Sequence, residues 1–171
     1  PILLVMGGSL GAQAINQALL PALPEILTRF HVIHLCGRGK VDPDMQRDGY
    51  VACEYVTEEM PDVFAAADIV VSRAGANAIF ELLALEKPAL LIPLPPKSSR
   101  GDQAQNTNYF GRKGYSMVLP QSELTSDTLL AAVNKLYDQR GAYIEAMKRA
   151  PLADGTEKVL EVIRDVASRK G

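Results

Sequence analysis

The feature that most constrains the fold is an alternation of short apolar runs with longer segments of helical period. Residues 2–6 form an apolar run, and residues 13–29 then repeat apolar side chains at the spacing of one helix face. Further strands are predicted at 31–36, 50–55, 69–72, 89–92 and 115–119. Further helices are predicted at 61–67, 76–85, 103–113, from 126 onward, at 142–149 and at 155–168. This alternation predicts an α/β fold, a Rossmann-like doubly wound parallel sheet of about six strands.

Composition narrows the classes of protein that remain. The chain has 171 residues, 47% of them hydrophobic, and a formal net charge of −2, which is typical of one soluble globular domain. It has no long run of Lys or Arg, which argues against a nucleic-acid partner. The apolar stretch at 88–96 is shorter than the ~20 residues that cross a bilayer. Cys36 and Cys53 match no disulfide framework or metal motif, which favours a reducing, cytoplasmic compartment.

The chain begins directly on an apolar strand, and we expect it to be part of a longer protein. The loop after this strand contains Gly7, Gly8 and Gly11, with the hydroxyl residue Ser9 between them. Glycines let a ligand approach the backbone closely, and the N–H groups at the following helix start favour an anion such as diphosphate. A tight turn from strand to helix is the alternative. The spacing is not that of a dinucleotide-binding loop, and the chain has no Walker loop.

Two further loops carry groups suited to a sugar nucleotide. Residues 72–77 join a strand to a helix through small residues, and Glu81 lies in that helix among apolar neighbours. A carboxylate there suits the two hydroxyls of a ribose, although a solvated Glu is the alternative. Residues 97–108 are rich in amides and hydroxyls, which suit the hydroxyls of a sugar unless they form only a polar surface loop.

A metal site has weaker support in the sequence. His31 and His34 fall on opposite faces of a strand, which disfavours a shared metal ion. Asp42 and Asp44 lie in a proline-containing turn and are better interpreted as solvated. The sequence therefore predicts neither a metal site nor a cofactor.

Four segments taken together, 6–16, 67–81, 87–93 and 101–106, closely resemble the MurG family of bacterial glycosyltransferases. These enzymes add N-acetylglucosamine to the lipid-linked muramyl-pentapeptide of peptidoglycan synthesis. The resemblance covers essentially the whole chain but only the C-terminal half of those enzymes. It implies a GT-B fold, in which two Rossmann-like domains face a cleft and the C-terminal domain holds the UDP-sugar. On this basis residues 1–171 are one donor-binding domain, without the N-terminal acceptor domain.

The resemblance also implies which residues bind UDP-N-acetylglucosamine. No catalytic residue is implied, because the general base belongs to the other half of the family's enzymes. The implied contacts are with the diphosphate (Gly8, Ser9, Leu10, Gly11), the nucleotide and sugar (Arg73, Gly75, Ala76, Asn77, Ala78), the ribose (Glu81), the uracil edge (Val56 or Thr57) and the sugar hydroxyls (Asp102 and Gln103, with Asn106 nearby).

The implied reaction is inverting: an acceptor hydroxyl displaces UDP from the anomeric carbon in one step. We expect the chain alone to bind the donor without transferring its sugar. The full-length enzyme would sit peripherally on the cytoplasmic face of the membrane and meet the lipid acceptor through its N-terminal domain. Three alternatives stay open: a natural stand-alone donor subunit of a split transferase, a glycolipid synthase that uses another UDP-hexose, and a non-catalytic nucleotide-sugar-binding module.

Overall fold

A computed structural model describes residues 1–8, 12–45, 47–95 and 102–150. In this part of the chain six strands form one sheet in the order β3-β2-β1-β4-β5-β6, and every neighbouring pair is parallel. The predicted doubly wound parallel sheet is therefore confirmed. The strands are β1 Ile2–Met6, β2 His31–Leu35, β3 Tyr50–Cys53, β4 Ile69–Ser72, β5 Ala89–Leu91 and β6 Met117–Val118.

Helices follow the strands as the periodicity predicts. They are α1 Gln13–Ile26, α2 Met60–Ala66, α3 Ala76–Ala84, α4 Asp102–Lys113, α5 Ser126–Asp138 and α6 Arg140–Lys148. The helix predicted at 155–168 lies outside the described residues. No helix within those described residues combines the length and apolar character needed to span a membrane.

The prediction differs from the structure mainly at element ends. Helix α1 ends at Ile26, whereas the apolar pattern predicted a helix to 29. Strand β6 is shorter than the predicted 115–119 because the Tyr115 N–H donates to the Phe110 carbonyl and so closes the end of α4. The periodicity of apolar residues does not reveal such turns, since their side chains remain buried.

The two faces of the sheet carry separate layers. Leu3 and Val5 of β1 pack under α1 and α5, whereas Leu4 and Met6 pack on the other face with α2, α3, α4 and the end of α6. Alternation of side chains along β1 thus supplies both cores. Since all six strands are parallel, their carboxyl ends lie along one edge of the sheet, where open α/β sheets bind ligands.

Candidate functional site

A cleft of about 1010 Å³ opens at the carboxyl edge of the sheet. It lies over β1 and β4, where the direction of the connections reverses and where doubly wound sheets bind nucleotides. Its walls come from the loops after β1, β4, β5 and β6 and from the first turns of α1, α3 and α4. The lining residues include Gly7, Gly8, Ala12, Gln13, Arg73, Gly75, Ala76, Asn77, Ala78, Leu94, Gln103 and Gln121.

The turn from β1 into the cleft requires glycine at two positions. A Cβ on Gly7 would lie 2.3 Å from the Ala12 nitrogen, so only glycine lets the chain pass there. Gly8 has a φ of +82°, in the left-handed region that other residues rarely adopt. The course and conformation of the backbone therefore explain why both positions are glycine. Both residues lie in the wall of the cleft.

Two helix N-termini meet at this cleft. Helices α1 and α3 begin after Ala12 and Gly75, neither of which has a side chain that can cap its helix. The first N–H groups of a helix have no partner within it and carry a partial positive charge. Neither helix has an acidic residue in its first turn to offset that charge. The cleft is therefore suited to an anion that both helices can approach.

Arg73 lies in the cleft wall at the end of β4 and is half-buried. Its Nη1 donates to the Ile92 carbonyl at 3.0 Å and to the Pro93 carbonyl at 3.5 Å. Burial lowers the pKa of the guanidinium from its usual value. Arg73 thus fastens the segment after β5 to β4, a structural contact that the sequence did not indicate.

Helix α4 is attached to the cleft by two amide side chains. Gln103 Oε1 accepts a hydrogen bond from the Leu94 N–H at 3.0 Å, and Gln103 also lines the cleft. Asn106 Nδ2 donates to the Ala74 carbonyl at 3.0 Å. Asn106 is not among the described lining residues, so its visible role is to hold α4 against the loop after β4.

The remaining predicted contacts lie apart from the main cleft. Glu81 is exposed on α3 and borders a groove of about 240 Å³ beside α2. Val56 is half-buried and Thr57 is exposed, both beyond β3 at the edge of the sheet. None of these three is among the described residues that line the cleft over β1 and β4.

Some of the predicted contact residues are not described by the structure. Ser9, Leu10 and Gly11 lie outside the described residues. Asp102 begins α4, but its side chain also lies outside the description. Their proposed contacts with a diphosphate and a sugar therefore rest on the resemblance alone.

A buried polar network beside α1 was not predicted from the sequence. His34 Nδ1 is 2.9 Å from the Tyr50 hydroxyl, and His34 Nε2 is 3.0 Å from Asn16 Oδ1. Asn16 Nδ2 in turn donates to the Cys36 carbonyl at 2.8 Å. Asn16 Oδ1 then accepts from Nε2–H, and in a neutral His34 the Nδ1 atom accepts from the Tyr50 hydroxyl. A neutral His34 thus satisfies every hydrogen bond of the network.

Burial lowers the pKa of His34 to about 4 and raises that of Tyr50 to about 12. Both groups therefore stay neutral at physiological pH. One signal in the sequence indicated this position: His34 shares the parity of Val32 in β2, which places it on the inward face under α1.

Comparison with known proteins identifies relatives over almost the whole chain. Residues 2–164 match the glycosyltransferase family 28 C-terminal domain. Two similar proteins are named UDP-N-acetylglucosamine–N-acetylmuramyl-(pentapeptide) pyrophosphoryl-undecaprenol N-acetylglucosamine transferase. The one from Lachnospira eligens is 53% identical over 166 residues, covering 96% of this chain and 47% of the relative. The one from Geobacillus kaustophilus is 49% identical over 168 residues, covering 98% and 47% respectively. The chain thus spans about half the length of these relatives.

Solved structures agree with this assignment. The crystal structure of Acinetobacter baumannii MurG aligns with a TM-score of 0.79 at 25% identity, covering 95% of this chain and 49% of that one. A glycosyltransferase of kitacinnamycin shares the fold, with a TM-score of 0.78 at 22% identity over 96% of this chain and 42% of its own. The fold is that of the C-terminal half of a GT-B glycosyltransferase. Because the family's model matches residues 2–164, the chain belongs to glycosyltransferase family 28 and corresponds to its C-terminal domain.

Proposed function

We propose that this chain binds UDP-N-acetylglucosamine in the cleft and is the donor-binding domain of an inverting N-acetylglucosaminyltransferase. The observation that carries the proposal is the meeting of two helix N-termini and a glycine turn at one cleft over β1 and β4. The names of the relatives support this choice of sugar nucleotide and point to a lipid-linked muramyl-pentapeptide as the acceptor.

The proposed pose follows the strand order. The diphosphate lies at the N-termini of α1 and α3, where the helix charge stabilises the UDP that leaves as the acceptor hydroxyl attacks. The nucleoside extends toward β3, with the uracil near Val56 or Thr57 and the ribose hydroxyls on Glu81. The sugar extends toward α4, where Gln103 and Asp102 are its proposed contacts.

The proposal assigns the other half of the reaction to a separate domain. Because the chain spans about half the length of its relatives, we assign acceptor binding and the general base to an N-terminal domain outside residues 1–171. Contact with the lipid acceptor and peripheral attachment to the cytoplasmic membrane face belong to that domain as well. The chain alone is then expected to bind the donor and not to transfer its sugar.

Calorimetric titration of the 171-residue chain tests the proposal. UDP-N-acetylglucosamine is expected to bind saturably and more tightly than UDP-glucose, with ADP and NADH weaker than either. Tighter binding of ADP or NADH would contradict the assignment of a UDP-sugar site. Sugar transfer to a lipid-linked acceptor by this chain alone would contradict the division of the reaction between two domains.

A further inference from the structure

Gln121 forms part of the cleft wall without belonging to any of the motifs identified in the sequence. It opens a short turn, Gln121–Glu123, that follows β6. The Glu123 N–H donates to the Pro120 carbonyl at 2.9 Å, and the Leu124 N–H donates to the Gln121 carbonyl at 3.2 Å. On the strand side of the turn, Leu119 is buried and bonded to β5. The backbone of Gln121 is therefore held firmly at the cleft.

The side-chain oxygen of Gln121, Oε1, is a buried polar atom without a hydrogen-bond partner among the described residues. An amide oxygen buried in this way is unfavourable for the folded protein, and an apolar side chain of similar length would avoid that cost. The residue lines the cleft, and rotation about the side-chain torsion that carries the amide, which has a broad energy minimum, would turn Oε1 toward it. A donor group on a bound ligand would then satisfy the oxygen.

The strand order indicates which part of a ligand meets Gln121. Strand β6 lies at one edge of the sheet beside β5, and β3 lies at the opposite edge. With the diphosphate over β1 and β4 and the nucleoside toward β3, the group on the β5 and β6 side is the sugar. Gln103, which the proposed function places at the sugar, lines the same cleft.

We infer that Gln121 is a further sugar-binding residue, whose amide oxygen accepts a hydrogen bond from a hydroxyl or acetamido N–H of the donor hexose. The inference rests on the proposed function and adds a contact from the loop after β6. It predicts that Gln121 distinguishes a UDP-sugar from UDP, because UDP lacks the group that the oxygen binds.

Replacing Gln121 with Met keeps the length of the side chain and removes its amide. In calorimetric titrations of the full 171-residue chain, Gln121→Met is expected to raise the Kd for UDP-N-acetylglucosamine about fivefold, the worth of one neutral hydrogen bond. The Kd for UDP should stay within about twofold of the wild-type value, since no UDP group contacts the amide. The thermal midpoint should stay the same or rise, because the Oε1 atom makes no hydrogen bond within the described residues.

Two further variants complete the test. Gln139→Met makes the same chemical change at an exposed position between α5 and α6, and it should alter neither affinity. Gln121→Glu keeps an acceptor oxygen, so the ratio of the UDP to the UDP-N-acetylglucosamine Kd should stay near the wild-type ratio even if the added charge weakens both.

The outcomes separate this inference from the proposed function. If the wild-type chain binds UDP-N-acetylglucosamine but Gln121→Met binds it equally well, or weakens both ligands in proportion, the inference is wrong and the proposed function stands. A lower thermal midpoint for Gln121→Met would assign the residue to structure and overturn the inference. If the wild-type chain binds neither ligand, the proposed function fails, and the inference fails with it.

Discussion

Helices α1 and α4 are each attached to the carboxyl edge of the sheet by an asparagine, but the surroundings of the two asparagines differ. Asn16 Nδ2 donates to the Cys36 carbonyl at 2.8 Å, and Asn106 Nδ2 donates to the Ala74 carbonyl at 3.0 Å. The oxygen of Asn16 is bound by the buried His34, which belongs to a chain of hydrogen bonds ending at Tyr50. The hydrogen bond that attaches α1 is thus linked to a titratable side chain, that of His34.

This difference bears on the proposed site because both helices border the cleft. Helix α1 presents its N-terminus to the proposed diphosphate position, and Asn16, which attaches it, is hydrogen-bonded to the buried, titratable His34. The attachment of α4 through Asn106 uses an amide and a backbone carbonyl, neither of which titrates between pH 4 and pH 10. We therefore expect the two attachments to respond differently to mutation and to pH.

The largest effect is expected from removing His34. His34→Ala leaves the Asn16 oxygen and the Tyr50 hydroxyl without their buried partner and opens a cavity under α1. We expect the free energy of unfolding to fall by about 4 kcal/mol. Denaturant unfolding at pH 7 measures the change.

His31→Ala is the matched control, since His31 lies in the same strand and is exposed. It should change the free energy of unfolding by less than about 0.5 kcal/mol. Equal effects of the two substitutions would mean that the network contributes nothing beyond the strand itself.

The second effect is a loss of stability in acid. With its pKa lowered from 6.5 to about 4, His34 takes up a proton in the unfolded chain at a higher pH than in the folded chain. Stability from this group is therefore complete above pH 6.5, falls as the pH drops and reaches its full loss near pH 4. The loss corresponds to about 3 kcal/mol, from the difference between the two pKa values.

His34→Gln separates this titration from that of the carboxylates. Glutamine can donate to Asn16 and carries no titratable group, so the variant should lose less stability than the wild type between pH 6.5 and pH 4. Urea unfolding at several pH values measures both curves. Parallel curves would show that His34 is not the source of the acid sensitivity.

These two effects concern residues that the sequence could identify only in part. The alternation of apolar residues predicted the sheet and its helices, because burial imposes a period on each element. It put His31 and His34 on opposite faces of a strand but did not reveal the partners of His34, since Asn16 and Tyr50 lie in other elements and meet it only in the folded chain.

The candidate site, too, was predicted only in part from the sequence. The glycine turn and the two helix starts were predicted, because local sequence sets backbone conformation and helix ends. The contacts of Arg73 with Ile92 and Pro93 were not predicted, and neither was the place of Gln121 in the cleft wall. Both depend on which strands are neighbours, and the period of one segment carries no information about strand order.

The smallest effect is expected at α4. Asn106→Ala removes one half-buried hydrogen bond to the Ala74 carbonyl, so we expect a loss of about 1 kcal/mol in the free energy of unfolding at pH 7. Asn108→Ala, an exposed change in the same helix, should leave the free energy of unfolding unchanged or raise it slightly, because alanine has the higher helix propensity. The Asn106→Ala loss should be the same at pH 5 as at pH 7, because no titratable group belongs to the contact. A loss that grows or shrinks with pH would mean that α4 is coupled to a titrating group, and the contrast with α1 would no longer hold.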